Sequence, residues 1–277
     1  MSPITDAPAH DGWHPGMPDR RRGGEPGPAA VRIAAVGDFH CGESDVGAYR
    51  ALFARANQDA DVLLLLGDLT RHGTVAEMRV AVGELADVTI PILAVLGNHD
   101  HESGQVAEVS AVLRERGVTL LDGDVFELNE QIGFAGVKGY MGGFGSHTLT
   151  AFGEAETKAF VGVTLQDVQR LEVALRRLST PLKVVLLHYA PVAATVVGEP
   201  EQIFPFLGND RLAEPLDRYG ACVCFHGHAH TGTFRGQTPG GVPVFNVSHA
   251  LLKRDGVGEM YFLYELPLPA AEPAAAP

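Results

Sequence analysis

The sequence is poor in cysteine, and its few cysteines are not spaced for a disulfide framework or a zinc site. There are three, Cys41, Cys222 and Cys224, and none belongs to a zinc-finger or CxxC pattern. Cys222 and Cys224 lie in an apolar run, where a free thiol behaves as a small hydrophobe. We expect three reduced thiols and no structural bridge.

Basic residues are also scarce. The chain carries 21 Lys and Arg against 34 Asp and Glu, which gives a formal net charge of −13. Binding to extended nucleic acid or to an anionic membrane depends on dense positive charge, so this balance argues against both and makes a nuclease improbable. An anionic substrate must therefore be attracted locally, and a pair of divalent cations would supply that attraction.

Long hydrophobic runs are absent as well. No apolar run in the sequence approaches the roughly 20 residues that a membrane-spanning helix needs. The arginines at 20–22 could begin a twin-arginine export signal, but glycine and proline follow them in place of an apolar segment. We therefore expect a soluble, cytoplasmic protein that does not bind membranes.

The chain is long enough for one large domain, since 45% of its 277 residues are apolar. Residues 1–30 are rich in Pro, Gly, Asp and Arg without periodicity, and residues 267–277 are mostly Pro and Ala, so both are predicted to be disordered tails. The folded domain is predicted to span residues 31–266.

Within that domain, short apolar runs alternate with amphipathic stretches, which predicts an α/β fold with a mixed or doubled sheet. A capping box of Thr164 and Asp167 is predicted to open the last long helix. Further short strands are predicted in 118–137, 242–247 and 260–266. The predicted buried strands are 31–36, 62–66, 92–96, 184–187 and 221–225, and the predicted helices are 48–56, 75–86, 106–116 and 165–178.

Polar side chains follow the five predicted buried strands. In α/β sheets, ligands bind outside the carboxyl ends of the strands, so these side chains are predicted to meet at one edge. They are Asp38 and His40, Asp68, Asn98 with His99 and Asp100, His188, and His228 with His230.

Most of these residues are of types that bind metal ions. Residues two apart in an extended segment point the same way, so Asp38 and His40 could direct both side chains at one centre. Carboxylate, amide and imidazole ligands together suit Mn, Fe, Zn or Ni. Seven of these residues, all but His99 and Asp100, are counted as potential ligands, which is more than one tetrahedral zinc uses. A carboxylate such as Asp68 can bridge two ions about 3.5 to 4 Å apart. The sequence therefore favours two divalent ions.

These residues resemble the motifs of the calcineurin-like metallophosphoesterase family. The family pattern of D-x-H, GD, GNH[DE], a lone His and GHxH is matched in order, and the resemblance covers most of residues 31–265. It implies a four-layer α/β/β/α sandwich of two mixed sheets flanked by helices, with a dinuclear metal site at the C-terminal strand ends. It also implies a phosphoric ester hydrolase in which a metal-bridging hydroxide attacks phosphorus in line.

The same resemblance implies a role for each residue. Asp68 would bridge the two ions. His99 would assist the leaving oxygen, by donating a proton or stabilising charge, and Asp100 would orient the His99 ring. The first ion would be held by Asp38, His40, Asp68 and His230, and the second by Asp68, Asn98, His188 and His228.

Differences between the branches of this family narrow the range of substrate classes to expect. Arg71 stands where purple acid phosphatases carry the tyrosine that binds ferric iron, and His72 stands where Ser/Thr phosphatases carry a phosphate-binding arginine. The string GDLT and Glu77 are similar to the bacterial cyclic-nucleotide phosphodiesterases, whereas His101 and Glu102 after GNHD depart from them. We expect a small phosphodiester substrate such as a cyclic or linear nucleotide. The alternatives are a phosphomonoesterase acting on a small molecule or a phosphoprotein, and a non-catalytic metal-binding scaffold.

Several other segments could shape the site. The glycine-rich segment 139–145 could offer backbone N–H groups to phosphate or only form turns. Its Tyr140 and Phe144 could stack on substrate or simply pack, and His147 could line the pocket. The segment 199–206 is predicted to be a surface loop that could cover the site. Three more histidines, His72, His101 and His249, are assigned no metal.

Overall fold

The computed structural model describes residues 30–258 and 260–269. The predicted tails and the arginines at 20–22 lie outside this part of the chain, except that the first strand begins at Ala30 and that residues 267–269 are described. The strands are β1 (Ala30–Val36), β2 (Val62–Leu66), β3 (Ile92–Val95), β4 (Thr119–Leu120), β5 (Asp124–Glu127), β6 (Ile132–Gly136), β7 (Leu182–Leu186), β8 (Val223–His226), β9 (Arg235–Gln237), β10 (Pro243–Asn246) and β11 (Phe262–Pro267). The helices are α1 (Arg50–Asp59), α2 (Val75–Glu84), α3 (Val106–Glu115), α4 (Ala155–Arg177), α5 (Phe204–Leu207), α6 (Ala213–Arg218) and α7 (His249–Asp255).

The strands form two mixed sheets. The first has the order β11-β1-β2-β3-β4, and only its β1–β11 pair is antiparallel. The second has the order β5-β6-β7-β8-β10-β9, with antiparallel pairs at its two edges. The parallel centre of each sheet therefore sends several strand ends in the same direction, which is the arrangement that the polar clusters require.

The central strands are apolar on both faces because each sheet is covered on both sides. Along β1, Ile33 and Ala35 pack in a core that reaches Phe134 of the second sheet. Ala34, which points the other way, packs in a core shared with Phe53 of α1. A third core lies between the second sheet and helices α4 and α6. The layers follow the order helix, sheet, sheet, helix, and the predicted four-layer sandwich is confirmed.

The prediction for the start of α4 is wrong. The helix begins at Ala155, almost three turns before the start at Leu165 that a capping box at Thr164 predicts. Thr164 is buried in mid-helix, where its hydroxyl donates a hydrogen bond to the Met141 carbonyl at 2.6 Å. Asp167 instead pairs with Arg170, at 2.6 Å. Tertiary contacts of this kind extend the helix beyond the reach of local sequence signals.

The segment 199–206 is also more regular than predicted. It contains a 3₁₀ turn, Glu201–Ile203, and the start of α5. The strand β9 and the helix α7 were not predicted from the sequence. Among the described residues, no helix is both long and apolar enough to cross a membrane.

Candidate metal centre

The predicted ligands lie at the C-terminal ends of five strands, three in the first sheet and two in the second. Asp38 and His40 follow β1, Asp68 follows β2, and Asn98 follows β3 just before a 3₁₀ turn, His99–His101. His188 follows β7 and the His228–His230 segment follows β8. Residues up to 192 positions apart therefore converge on one edge of the sandwich.

The first group of side chains consists of Asp38, His40, Asp68 and His230. One potential ligand atom from each lies within 4.8 Å of the others. His230 Nε2 is 3.1 Å from Asp38 Oδ1 and 3.4 Å from His40 Nε2, and His40 Nε2 is 3.9 Å from Asp68 Oδ2. These four residues could hold a metal ion.

The second group consists of Asp68, His188 and His228, which meet the same distance criterion. His188 Nε2 lies 3.4 Å from Asp68 Oδ1 and 2.9 Å from the side-chain oxygen of Asn98. Asp68 thus belongs to both groups, with Oδ2 near His40 and Oδ1 near His188. A carboxylate shared in this way has the placement that a bridging ligand needs.

The backbone at these positions is unusual. Among the described residues, those other than glycine with positive φ are Asp38 (58°), His40 (44°), Asp68 (49°) and His228 (70°). The left-handed region is unfavourable for residues with a Cβ, by roughly 1–3 kcal/mol each, and is concentrated at functional sites. The prediction that Asp38 and His40 are brought together by an extended backbone is therefore wrong, because a left-handed conformation at both residues does this.

Glycines let the ligand loops approach each other. A Cβ on Gly97 would overlap the carboxylate of Asp68, and a Cβ on Gly227 would overlap that of Asp38. Neither glycine has a positive φ, so close approach and not a sharp turn requires the missing side chain. At Gly67 both reasons apply: its φ is 83°, and a Cβ there would lie 2.5 Å from His188 Nδ1.

Hydrogen bonds fix the orientation of the ligands. His188 donates through Nδ1 to the Leu66 carbonyl at 2.8 Å, which leaves Nε2 facing Asp68 and Asn98. The backbone N–H of His99 donates to Asp68 Oδ1 at 2.8 Å. Partners of this kind set the tautomer of an imidazole and the direction of a carboxylate before any ion binds.

The electrostatics fit divalent cations. Burial and the negative charges of Asp38 and Asp100 raise the pKa of Asp68 to about 9. Burial opposes ionisation of Asp38 too, but the hydrogen bond from His230 and the neighbouring imidazoles hold the pKa of Asp38 below its ordinary value. Two buried carboxylates side by side cannot both ionise without compensating positive charge, and bound cations would supply it.

Three of the four proposed histidine ligands are suited to act as neutral ligands, whereas the hydrogen bond to Asp38 raises the pKa of the fourth, His230. Burial lowers the pKa of His40 to about 4 and that of His188 well below its ordinary value. Burial also lowers the pKa of His228. A neutral imidazole keeps a free lone pair on one nitrogen, which is the form that coordinates a metal.

His99 stands at the open side of the centre. Its ring lies 4.7 Å from the His40 ring, and 38% of its side chain is exposed. Nδ1 donates to the Arg71 carbonyl at 2.8 Å and lies 3.4 Å from Glu102 Oε2. Since Nδ1 is engaged, Nε2 is the nitrogen available to exchange a proton with a bound molecule.

The prediction that Asp100 orients the His99 ring is wrong. Asp100 is fully buried, and its carboxylate accepts hydrogen bonds from the backbone of Leu69, Thr70 and Gly97 and from the Thr70 hydroxyl. The Thr70 hydroxyl contact is the shortest, at 2.6 Å. Asp100 therefore joins the loop after β2 to the loop after β3, and so positions Asp68 and Asn98 relative to each other.

A group of buried, hydrogen-bonded polar residues behind the His228 loop was not predicted by sequence analysis. His226 is fully buried, with Nε2 2.8 Å from the Thr195 hydroxyl and Nδ1 2.7 Å from the Gly227 carbonyl. Asn246, also fully buried, donates to the Ala229 carbonyl at 2.7 Å. The available signal was a polar residue at the last position of an apolar strand, directly before the ligand loop.

The structure decides between the alternatives left open for the segments that flank the centre. In the glycine-rich segment 139–145, the N–H groups of Gly142, Gly143 and Gly145 donate to Pro205, Gly208 and Asp210, and are thus not free to bind phosphate. The segment 199–206 does reach the centre, where the Phe206 carbonyl lies 3.2 Å from His228 Nε2. Tyr140 packs against Phe160 and Tyr189, at ring distances of 5.2 and 6.0 Å, Phe144 packs in the protein interior, and His147 is exposed.

Comparison with known proteins supports this architecture. A family model described as calcineurin-like phosphoesterase matches residues 31–232. Among solved structures, phosphopantetheinyl hydrolase (PptH) from Mycobacterium tuberculosis is similar, with a TM-score of 0.60 and 15% identity over 90% of this chain and 99% of that one. The TT1561 protein of Thermus thermophilus has a TM-score of 0.51 and 16% identity, over 80% and 91% of the two chains. At these identities the likeness is one of fold. No curated protein matches the sequence.

Proposed function

Because the chain belongs to the calcineurin-like phosphoesterase family, we propose that it hydrolyses a small-molecule phosphodiester at a centre of two divalent metal ions. The observation that carries this proposal is the position of Asp68. Its two carboxylate oxygens face different clusters of potential ligands, one around His40 and the other around His188. One carboxylate between two ligand sets is the arrangement of a two-metal hydrolase.

The ligand assignment follows the two clusters. One ion would be held by Asp38, His40, Asp68 and His230, and the other by Asp68, Asn98, His188 and His228. The donor set of carboxylate, amide and imidazole suits Mn, Fe, Zn or Ni. When bound, such ions supply an acidified water as nucleophile and neutralise charge on the phosphate oxygens.

The protein's own contribution is to orient the substrate and to move a proton. His99, protonated at Nε2 and held through Nδ1 by the Arg71 carbonyl, is placed to protonate the leaving oxygen as the ester bond breaks. Asp100 acts indirectly, by holding the loops that carry Asp68 and Asn98. The proton on His99 is then restored from solvent, to which the side chain is partly open.

The pairing of Arg71 favours a diester over a monoester. Its guanidinium lies 3.0 Å from the Asp45 carboxylate in a half-exposed ion pair, which reduces the net positive charge of the loop that follows the GDLT motif. A phosphomonoester carries a second negative charge near neutral pH and needs more compensation than a diester does. A cyclic or linear nucleotide therefore remains the leading substrate class, and a monoesterase is the alternative.

The experiment is a comparison of two esters. Protein stripped of metal is reloaded with Mn²⁺, its bound metal is counted, and hydrolysis of bis(p-nitrophenyl) phosphate is compared with that of p-nitrophenyl phosphate. Asn98→Ala is expected to abolish most activity, because Asn98 Oδ1 faces the proposed second ion. His147→Ala, on an exposed loop, is the matched control and should behave as the wild type. A pantetheine phosphodiester belongs in the wider panel because of the similar fold of the phosphopantetheinyl hydrolase.

The outcomes separate the proposals. About two Mn²⁺ per chain with preferential turnover of the diester supports the proposed function. Preferential turnover of the monoester makes the protein a phosphatase. Turnover of neither ester, with metal bound, supports a metal-binding scaffold, and undiminished activity after complete removal of metal would refute the two-metal centre.

A further inference from the structure

A cavity of about 750 Å³ lies between α3 and α4, on the flank of the metal centre. Its lining includes Leu96, which precedes Asn98 by two residues, and His101, which ends the 3₁₀ turn that begins at His99. It also includes Lys138, whose carbonyl accepts a hydrogen bond from the His188 N–H at 3.0 Å. The wall of the cavity is thus built from the loops that carry proposed ligands, and its volume is within the range of small-molecule sites, about 300–1,000 Å³.

The cavity combines apolar walls with an excess of positive charge. Leu96, Val106, Leu120, Val163 and Val173 supply apolar surface. The charged residues of the lining are Arg114, Lys138, Arg170, Asp122 and Asp167. Both carboxylates lie close to the Arg170 guanidinium, at 2.8 and 2.6 Å. Among the described residues, the other two cations of this lining, Arg114 and Lys138, therefore have no carboxylate partner, although the chain as a whole is strongly acidic.

Lys138 is the better placed of these two cations to meet a ligand. Its ammonium donates to the Gly139 carbonyl at 3.1 Å, and lies 4.8 Å from the centre of the Tyr140 ring and 5.0 Å from that of Tyr189. Within the described part of the chain it has no ion pair with a carboxylate. An ammonium has three donors, so Lys138 retains hydrogen-bonding capacity in a partly buried position, where burial lowers its pKa.

Tyr189 connects Lys138 to the metal centre. The Tyr189 ring lies 4.4 Å from the His228 ring and 5.4 Å from the His188 ring, and Lys138 lies over the same tyrosine. Tyr189 is buried and does not line the cavity, so a molecule with its phosphate between the proposed ions would have to pass beside this ring to reach Lys138. The apolar walls would receive its body and the ammonium would receive a negative charge.

We propose that this cavity binds the part of the substrate beyond the scissile phosphate, and that this part carries an anionic group which Lys138 binds. The inference rests on the proposed function, since it concerns the substrate of the same site. It assigns to the enzyme diesters that bear a second anionic group, a carboxylate or a phosphate, on the organic part held in the cavity. Within the proposed substrate class, this favours nucleotides with a further phosphate over cyclic mononucleotides.

The test uses p-nitrophenyl diesters that differ only at the end of one short chain. The second alcohol is butyl, 3-carboxypropyl or 3-phosphonopropyl, so that the chain is neutral, carries a carboxylate or carries a non-hydrolysable phosphate analogue. In Mn²⁺-loaded protein, KM and kcat are measured by nitrophenol release for esters that are hydrolysed, and dissociation constants are measured by calorimetry for esters that are not. The variants are Lys138→Met, which keeps the apolar stem, and Lys138→Arg, which keeps the charge, with Lys158→Met on exposed α4 surface as control.

The wild type is expected to bind at least one anionic ester about ten-fold more tightly than the butyl ester, because a charge-assisted hydrogen bond has about that effect. Lys138→Met should bring the affinities for the anionic and butyl esters to within about two-fold of each other, Lys138→Arg should keep part of the preference, and Lys158→Met should keep all of it. The relative affinity for carboxylate and phosphonate identifies the preferred anion. Equal preference in wild type and Lys138→Met would overturn the subsite.

The two proposals fail in different ways. If the protein hydrolyses all three esters without a preference that depends on Lys138, the proposed phosphoesterase function is supported and the proposed subsite is contradicted. Protein that hydrolyses none of them but binds the anionic esters through Lys138 retains the subsite and loses the proposed reaction.

A second pair of variants tests the cavity itself. Val163 lines it and Leu165, two residues further along α4, does not, although the two side chains are similarly exposed, at 40% and 45%. Val163→Trp is expected to weaken binding of a bulky naphthyl p-nitrophenyl diester several-fold and to leave the methyl diester unaffected. Leu165→Trp should change neither, and equal effects of the two substitutions would contradict the location.

Discussion

The backbone N–H of His228 points at the carboxylate of Asp38, with its nitrogen 2.9 Å from each carboxylate oxygen, although 190 positions separate the two residues. The first ligand motif of the chain is therefore oriented by the last one. A carboxylate buried in this way depends on such donors, so the geometry of Asp38 depends on a loop of the second sheet.

Asp68 should make the stability of the metal-free protein depend on pH. Its pKa is raised to about 9 from an ordinary value of 3.8, so between these values the folded state holds a proton that the unfolded state has lost. Stability therefore falls as pH rises through this window. In the presence of chelator, the Tm of the wild type is expected to fall more steeply from pH 7 to 9 than that of Asp68→Asn, which has no such proton.

Asp61→Asn is the matched control for this measurement. Burial opposes ionisation of Asp61, but hydrogen bonds from Arg32 lower its pKa overall, so it is ionised throughout the range. Its slope between pH 7 and 9 should equal that of the wild type. Equal slopes in wild type and Asp68→Asn would show that Asp68 is not the titrating group.

His99→Ala should be most harmful with poor leaving groups. If His99 protonates the leaving oxygen, its loss should lower kcat by about 10²–10⁴-fold for an alkyl or nucleoside ester. The effect should be much smaller for a p-nitrophenyl ester, whose leaving oxygen needs little protonation. Rates for a series of esters with leaving groups of rising pKa test this, and a slope unchanged from the wild type would exclude the acid role.

Substitution of Gly97 by alanine should disturb the metal centre, whereas the same substitution at Gly83 should not. Gly97→Ala places a methyl group against the Asp68 carboxylate, so metal affinity and Tm are both expected to fall. A Cβ on Gly83 in α2 meets nothing within 4 Å, and Gly83→Ala should stabilise the helix by about 0.5–1 kcal/mol. Thermal unfolding and Mn²⁺ titration measure both effects. Wild-type metal affinity in Gly97→Ala would contradict the close approach.

Thr195 should matter through its hydroxyl and not through its size. Thr195→Val leaves His226 Nε2 buried without a partner, which typically costs about 1–3 kcal/mol. Thr195→Ser keeps the hydroxyl and should retain most of the stability. If the hydrogen bond between Thr195 and His226 also positions the His228 loop, Thr195→Val should weaken metal binding at temperatures where the variant remains folded. Indistinguishable Val and Ser variants would show that the hydrogen bond is unimportant.

The sequence predicted the strand ends well because both faces of each central strand are buried, which produces unbroken apolar runs such as β2. The order of polar clusters after those runs then predicted the convergence of Asp68, Asn98 and His188. The left-handed backbone at Asp38 and His40 could not be predicted, since neither residue type favours it strongly and only contacts across the two sheets impose it.

Other errors have the same origin. Thr164 resembles a helix cap locally, but it is a buried mid-helix residue whose hydroxyl bonds to the distant Met141. Asp100 was assigned to its neighbour His99 because they are adjacent in sequence, whereas its partners come mainly from the loop after β2. Local sequence patterns predict which residues belong to the site. The hydrogen-bond partners of those residues depend on tertiary contacts and cannot be predicted from neighbours in the sequence.

The contact between His230 and Asp38 joins positions 192 residues apart. A metal ion held by both would connect the chain to itself across nearly the whole domain, as a covalent cross-link does. Closing so long a loop removes much of the freedom of a partly opened chain, and the ion must be released before the sheets can separate fully. Bound metal would thus slow unfolding as well as serve the reaction, and the lifetime of the folded enzyme would be set by how fast it releases its ions.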